Sequence, residues 1–117
     1  MGININDKCY PFTDLILAGV KTIETRRTPS LNAYIGQRVG IIKTGKGNAM
    51  LVGFVTIGVP IHYKTEEHFR RDRCYHCVPA GSKYDINSVG KWGYPLINPV
   101  KVTPQHVTTK GIVARKI

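Results

Sequence analysis

Glycine and proline cut this sequence into short pieces. Twelve glycines and seven prolines punctuate 117 residues, and the segments between them are brief and rich in β-branched residues. Thr22-Ile23-Glu24-Thr25-Arg26 alternates as a strand does. Arg38 to Lys43 reads as a second strand, apolar enough to be central. Thr44 to Asn48 is a glycine-rich turn, and Ala49 to Val59 a third, longer strand ended by Pro60. Gly53 and Gly58 within it predict bulges or barrel curvature. Lys91 to Ile97 contains a short strand closed off by Asn98-Pro99. Val100 to Val102 follows, and Gly111 to Arg115 is the last strand.

Two helices are expected among these strands. Phe12 to Ala18 has helical spacing, with Pro11 suited to the first turn and Gly19 to the stop. Thr65 to Asp72 carries an N-capping threonine and two carboxylates in its first turn. Ser30 to Gly36 and Cys74 to Ser82 read as irregular. Five or six short strands without regular β-α alternation predict a mainly β, α+β chain folded as a small barrel. A chain of 13.0 kDa is the size of one domain, spanning 1–117.

Composition narrows the function classes. Apolar residues make up 42%, enough for a core and too many for a disordered tail. No apolar run reaches the roughly 18–20 residues of a membrane helix. Met1 to Asp7 has neither a basic start nor an apolar centre, so no signal peptide is expected and a cytoplasmic location is. Cys9, Cys74 and Cys77 are then read as reduced thiols. The net charge of +10 favours an anionic partner, with RNA or a nucleotide first. Monomer or weak dimer is the expected state.

Gly19-x-Lys21-x-x-Glu24-x-Arg26 carries the sharpest signal. Together with Gly90-Lys91-Trp92-Gly93-Tyr94-Pro95-Leu96 it resembles the ASCH domain family, which has a PUA-like β-barrel fold. The resemblance covers nearly the whole chain. It extends to small bacterial N(4)-acetylcytidine amidohydrolases and to the branch that includes the endothelium-overexpressed lipopolysaccharide-associated factor. It implies a cleft beside the Lys/Glu/Arg segment and no cofactor or metal. It also implies one of two activities, acyl removal from N(4)-acylcytosine nucleosides or non-catalytic RNA or nucleotide binding. The amidohydrolases use a lysine, a threonine three positions later and a carboxylate on the following helix. Here the lysine is Lys21, the threonine position holds Glu24, and the helix carboxylate falls on Asp72, with Glu67 as the fallback.

Amide hydrolysis needs a proton shuttle and a donor for the developing oxyanion. Glu24 could deprotonate water. Lys21 could stabilise the oxyanion, protonate the departing amine, or act as base if its pKa were lowered. Arg26 could hold Glu24 ionised or touch a ribose or phosphate oxygen, and Thr22 shares its strand face with Glu24 and Arg26. Spacing alone allows a simpler reading in which these charges pair along a strand.

The remaining candidates each have two readings. Tyr84, Trp92 and Tyr94 could stack on a base or fill the core. Lys83 and Lys91 could meet a phosphate or stay solvated. Lys64, Arg70, Arg71 and Arg73 form either an RNA-binding patch or a solvated helix face. Cys74-x-x-Cys77 is half of a zinc site whose other half has no matching motif. A ribonuclease with Lys21 and His68 or His76 as acid and base is the third functional reading.

Overall fold

The computed structural model describes residues 1–117. Seven strands form one curled sheet: β1 (Gly2–Asn6), β2 (Ile23–Arg26), β3 (Arg38–Thr44), β4 (Met50–Ile57), β5 (Ile61–Tyr63), β6 (Lys91–His106) and β7 (Ala114–Arg115). Their order is β2-β6-β4-β3-β1-β7, with β5 also on β6. β1 and β3 run parallel, and the other pairs are antiparallel. Three short helices decorate the sheet: α1 (Phe12–Leu17), α2 (Glu66–Arg71) and α3 (Arg73–His76). The expected mainly β, α+β fold is the observed architecture, its sheet curled into an open half-barrel.

Pattern accounts for most of these elements. Gly40 to Ile42 and Leu51 to Gly53 are buried on both faces, as expected of central strands. The β3–β4 register slips between Ile41 and Ile42, and the β4–β6 register slips between Leu51 and Gly53. At Gly53 a Cβ would meet the Val100 carbonyl oxygen at 2.5 Å, so this is a point of close strand approach as well as of bending. Thr65 caps α2 by accepting from the His68 N–H at 3.2 Å. The start of α1 is held from outside the helix: buried Asp7 accepts from the Thr13 N–H at 3.0 Å and from its hydroxyl at 2.5 Å.

Two strands were not predicted, and two expectations are corrected. Gly2–Asn6 is a strand, with Ile3 and Ile5 turned into the core. Ile61–Tyr63 is another. The stretch from Cys74 begins inside a short helix instead of an irregular segment, capped by Cys77 in the left-handed conformation at φ 58°. Lys91–His106 is one strand of 16 residues, not two pieces. Asn98-Pro99 does not end it, because Asn98 takes φ 52° and the strand continues through the irregularity.

The main core gathers Ile3, Ile5, Phe12, Ile16, Val55 and Tyr94, among others, between the curled sheet and α1. A smaller cluster of Tyr63, Phe69, Val78 and Ile86 packs under α2. No helix is long and apolar enough to cross a membrane.

Candidate functional site in the open seam of the sheet

β2 and β7 are the two ends of the sheet order, and the curl brings their neighbourhoods together without closing the barrel. Arg26 crosses the gap: its Nη2 donates to the Asn4 carbonyl oxygen on β1 at 2.8 Å. A cleft of about 580 Å³ opens along this seam. One wall runs from Lys21 to Arg27, the facing wall comes from Asn4 to Asn6 with Gly111, Ile112 and Arg115, and Tyr84 and Lys91 complete it.

Lys21 reaches the cleft because of the way α1 ends. Gly19 adopts φ 75°, and the N–H groups of Val20 and Lys21 both return to the Leu15 carbonyl, at 2.9 and 3.0 Å. The chain therefore turns before β2 begins, and the Lys21 side chain enters the interior. It is 1% exposed. Its Nζ donates to the carbonyl oxygens of Ile23 at 2.9 Å and His76 at 2.5 Å. The Phe12 ring lies 4.7 Å away. Burial pushes the Lys21 pKa below its ordinary value, against the pull of Glu24.

Glu24 is held between two cations. Its Oε1 lies 3.6 Å from Lys21 Nζ. Its Oε2 accepts from Arg26 Nε at 3.1 Å and lies 2.9 Å from Nη2 as an ion pair. Two carbonyls take two of the three Lys21 protons. The separation of 3.6 Å is longer than a hydrogen bond, so the third proton remains uncommitted.

The structure brings together Lys21, Glu24, Arg26, Tyr84, Lys83 and Lys91 of the expected residues. It does not bring the helix carboxylates to Lys21. Asp72 accepts from the Tyr63 hydroxyl at 2.6 Å and lies 4.0 Å from His68 Nε2. Glu67 is exposed and pairs with Arg71 at 3.6 Å. Thr22 belongs to the backbone ladder, with its N–H on Tyr75 O and its carbonyl on Leu96 N–H. Tyr94 is fully buried and donates its hydroxyl to Asn32. Trp92 stacks on His62 at 3.9 Å across the β5–β6 pair, away from the cleft. Tyr84 lines the cleft and packs edge-on against Phe12 at 5.7 Å.

On α2, Arg70 pairs with Glu66 and with Asp85 (3.0 and 2.9 Å), while Lys64 and Arg73 are exposed. Neither His68 nor His76 lines the cleft. The buried His76 ring has both nitrogens engaged, Nδ1 accepting from the Val78 N–H and Nε2 donating to Phe69 O. No three His, Cys, Asp or Glu side chains gather as a metal site. Cys9 and Cys74 are exposed, and Cys77 Sγ lies 3.9 Å from Val20 O.

Asn4, Asn6, Thr25, Arg27 and Arg115 also line the cleft and were not foreseen. The alternation in Gly2-Ile3-Asn4-Ile5-Asn6 carries the signal for the first two: apolar residues face the core, so the asparagines face outward.

Comparison of the folds adds a decisive likeness. The ASCH protein from Zymomonas mobilis superposes with a TM-score of 0.73 at 19% identity, over 90% of this chain and 71% of that one. The chain has the ASCH fold. Two single-substitution variants of the same Zymomonas mobilis protein match as well. Their TM-scores are 0.72 and 0.71, with 19% and 20% identity. They match over 90% and 89% of this chain, and over 73% and 71% of theirs. No family model matches the sequence, and no curated protein does. The ASCH resemblance read from Gly19 to Arg26 is therefore borne out as a fold. The open seam of this sheet is where Lys21, Glu24 and Arg26, the residues that carried the resemblance, meet.

Proposed function

We propose that the seam cleft hydrolyses the acyl amide of an N(4)-acylcytosine nucleoside, giving cytidine and acetate from the N(4)-acetyl compound. The observation that carries this reading is the buried Lys21–Glu24 pair, which sets a proton donor beside a proton acceptor at the cleft wall. Glu24 takes a proton from water as the water oxygen adds to the acyl carbon. The uncommitted Lys21 N–H meets the developing oxyanion and then supplies the proton to the departing N4 as the C–N bond breaks. Arg26 fixes the Glu24 carboxylate through Oε2 and leaves Oε1 for water. Tyr84 offers a ring face to the pyrimidine. Asp72 and Glu67 have no part in this scheme.

A second reading, nucleotide or RNA binding without catalysis, is favoured by the charge of the same cleft. Six of the seventeen Lys and Arg residues line it, against Glu24 alone of the seven acids. An absorbance assay with N(4)-acetylcytidine separates the two. Turnover that Lys21→Ala and Glu24→Ala both abolish supports the hydrolase. A folded protein that binds cytidine without converting the acyl compound supports the second reading.

A further inference from the structure

Lys91 is buried, with 3% of its surface exposed, and it lines the cleft. The other buried lysine, Lys21, donates to two carbonyls and has the Glu24 carboxylate 3.6 Å away. The Lys91 side chain makes no hydrogen bond and no ion pair within the protein, and it lines the cleft. Its position is built with care nonetheless. Gly90 before it takes φ 82°, and a Cβ there would meet Tyr63 O at 2.5 Å. Lys91 itself pairs with Tyr63 on β5. On the other side, the β2–β6 ladder reaches Arg26 opposite Trp92, so Arg27 comes beside Lys91 on the neighbouring strand. Two cations on adjacent strands repel one another. Burial alone lowers the Lys91 pKa, Glu24 pulls it back, and Arg27 and Lys21 lower it further, leaving it at about 8.

A largely buried ammonium without a partner, beside a second cation, costs folding free energy. It becomes favourable once an oxyanion enters. Lys83 brings a third cation to the cleft, and its Nζ lies 5.1 Å from the centre of the Tyr84 ring. Lys83 thus stands over the Tyr84 ring, and Lys91 and Arg27 line the same cleft. We infer that the cleft takes its cytosine ligand as a 5′-phosphorylated nucleotide, with Lys91, Arg27 and Lys83 forming the phosphate subsite. The cytosine part rests on the proposed function; the phosphate part does not. A phosphate monoester, doubly charged and rich in acceptor oxygens, suits three cations lining one cleft. Arginines that would continue a polynucleotide track along α2 are already neutralised, Arg70 by Glu66 and Asp85 and Arg71 by Glu67.

Calorimetric titration of the whole protein with cytidine, cytidine 5′-monophosphate and inorganic phosphate tests this. The monophosphate is expected to bind at least about tenfold tighter than cytidine, an advantage that Lys91→Gln cuts to about threefold or less. Arg27→Gln, at an exposed position, should reduce it too, and serves if Lys91→Gln does not fold. Equal affinity for cytidine and its monophosphate overturns the phosphate subsite and leaves the hydrolase standing. Tight monophosphate binding by a protein that does not hydrolyse N(4)-acetylcytidine does the reverse. An oligocytidylate that binds far tighter than the monophosphate, with steep salt dependence, overturns the mononucleotide in favour of RNA.

Discussion

Arg26 Nη2 donates to the backbone carbonyl of Asn4 at 2.8 Å, and this bond ties the two sides of the open sheet together. The same guanidinium holds Glu24 Oε2 through Nε and Nη2. One side chain therefore fixes both the width of the cleft and the orientation of the carboxylate inside it. A planar fork of donors can do this, and a lysine ammonium at the same position cannot.

Replacing Arg26 should loosen the seam. Arg26→Ala leaves Asn4 O without its donor and Glu24 with only Lys21, at an expected cost of about 2 kcal/mol. Arg26→Lys should recover less than half of that. Thermal melts of the three proteins check it, and equal melting temperatures for Arg26→Lys and the parent would refute the fork's role.

In the proposed reaction Lys21 works as an ammonium. Burial lowers its pKa from 10.5, against the opposing attraction of Glu24. Turnover should therefore fall as pH rises, with a midpoint below 10.5. Rate profiles in kcat/KM between pH 6 and 10.5 check the direction. A rate that climbs through this range would make neutral Lys21 the base instead.

Lys91 yields a stability prediction with a definite sign. Its folded pKa of about 8 lies below the unfolded value of 10.5. Between those values the unfolded chain binds more protons, so this group makes the protein more stable as pH rises from about 8 to 10.5. Below pH 8 the buried charge is a full penalty. Lys91→Met should melt at a higher temperature than the parent at pH 7, and the difference should shrink at pH 10. A gain of about 1 kcal/mol would raise the midpoint by roughly 4 °C in a chain of this size. A lower midpoint at pH 7 would show that the ammonium is satisfied.

His76 is expected to titrate below 6.5, because burial outweighs the hydrogen bond to Phe69 O and Lys21 adds to the burial effect. Acidification below 6.5 should then destabilise the fold, since the unfolded chain takes up the proton first. Ring-proton NMR titration measures the midpoint. A value above 6.5 would contradict the neutral, doubly bonded ring.

The ASCH motif made Lys21, Glu24 and Arg26 legible in sequence, and Gly19 announced the turn that puts Lys21 inside. The His76 carbonyl that accepts from Lys21 was not legible, because it is 55 residues away and arrives through α3. Asp72 has the right distance in sequence, yet α2 presents it to Tyr63. Asn4 was missed because the alternation of β1 was passed over. Asn98-Pro99 reads as a strand end, but it sits inside β6, where the β4–β6 register is irregular and Asn98 adopts a left-handed conformation. Local pattern specified the elements; long-range contacts decided which side chains share a site.

The central claim is that the seam between β2 and the β1–β7 wall is where the ligand binds. Backbone NMR shifts recorded while titrating cytidine into the intact protein test it most directly. The account predicts the largest changes at Lys21 to Arg27, Asn4 to Asn6, Tyr84 and Lys91. Changes centred instead on Lys64, Arg70, Arg71 and Arg73, with the seam unmoved, would contradict it.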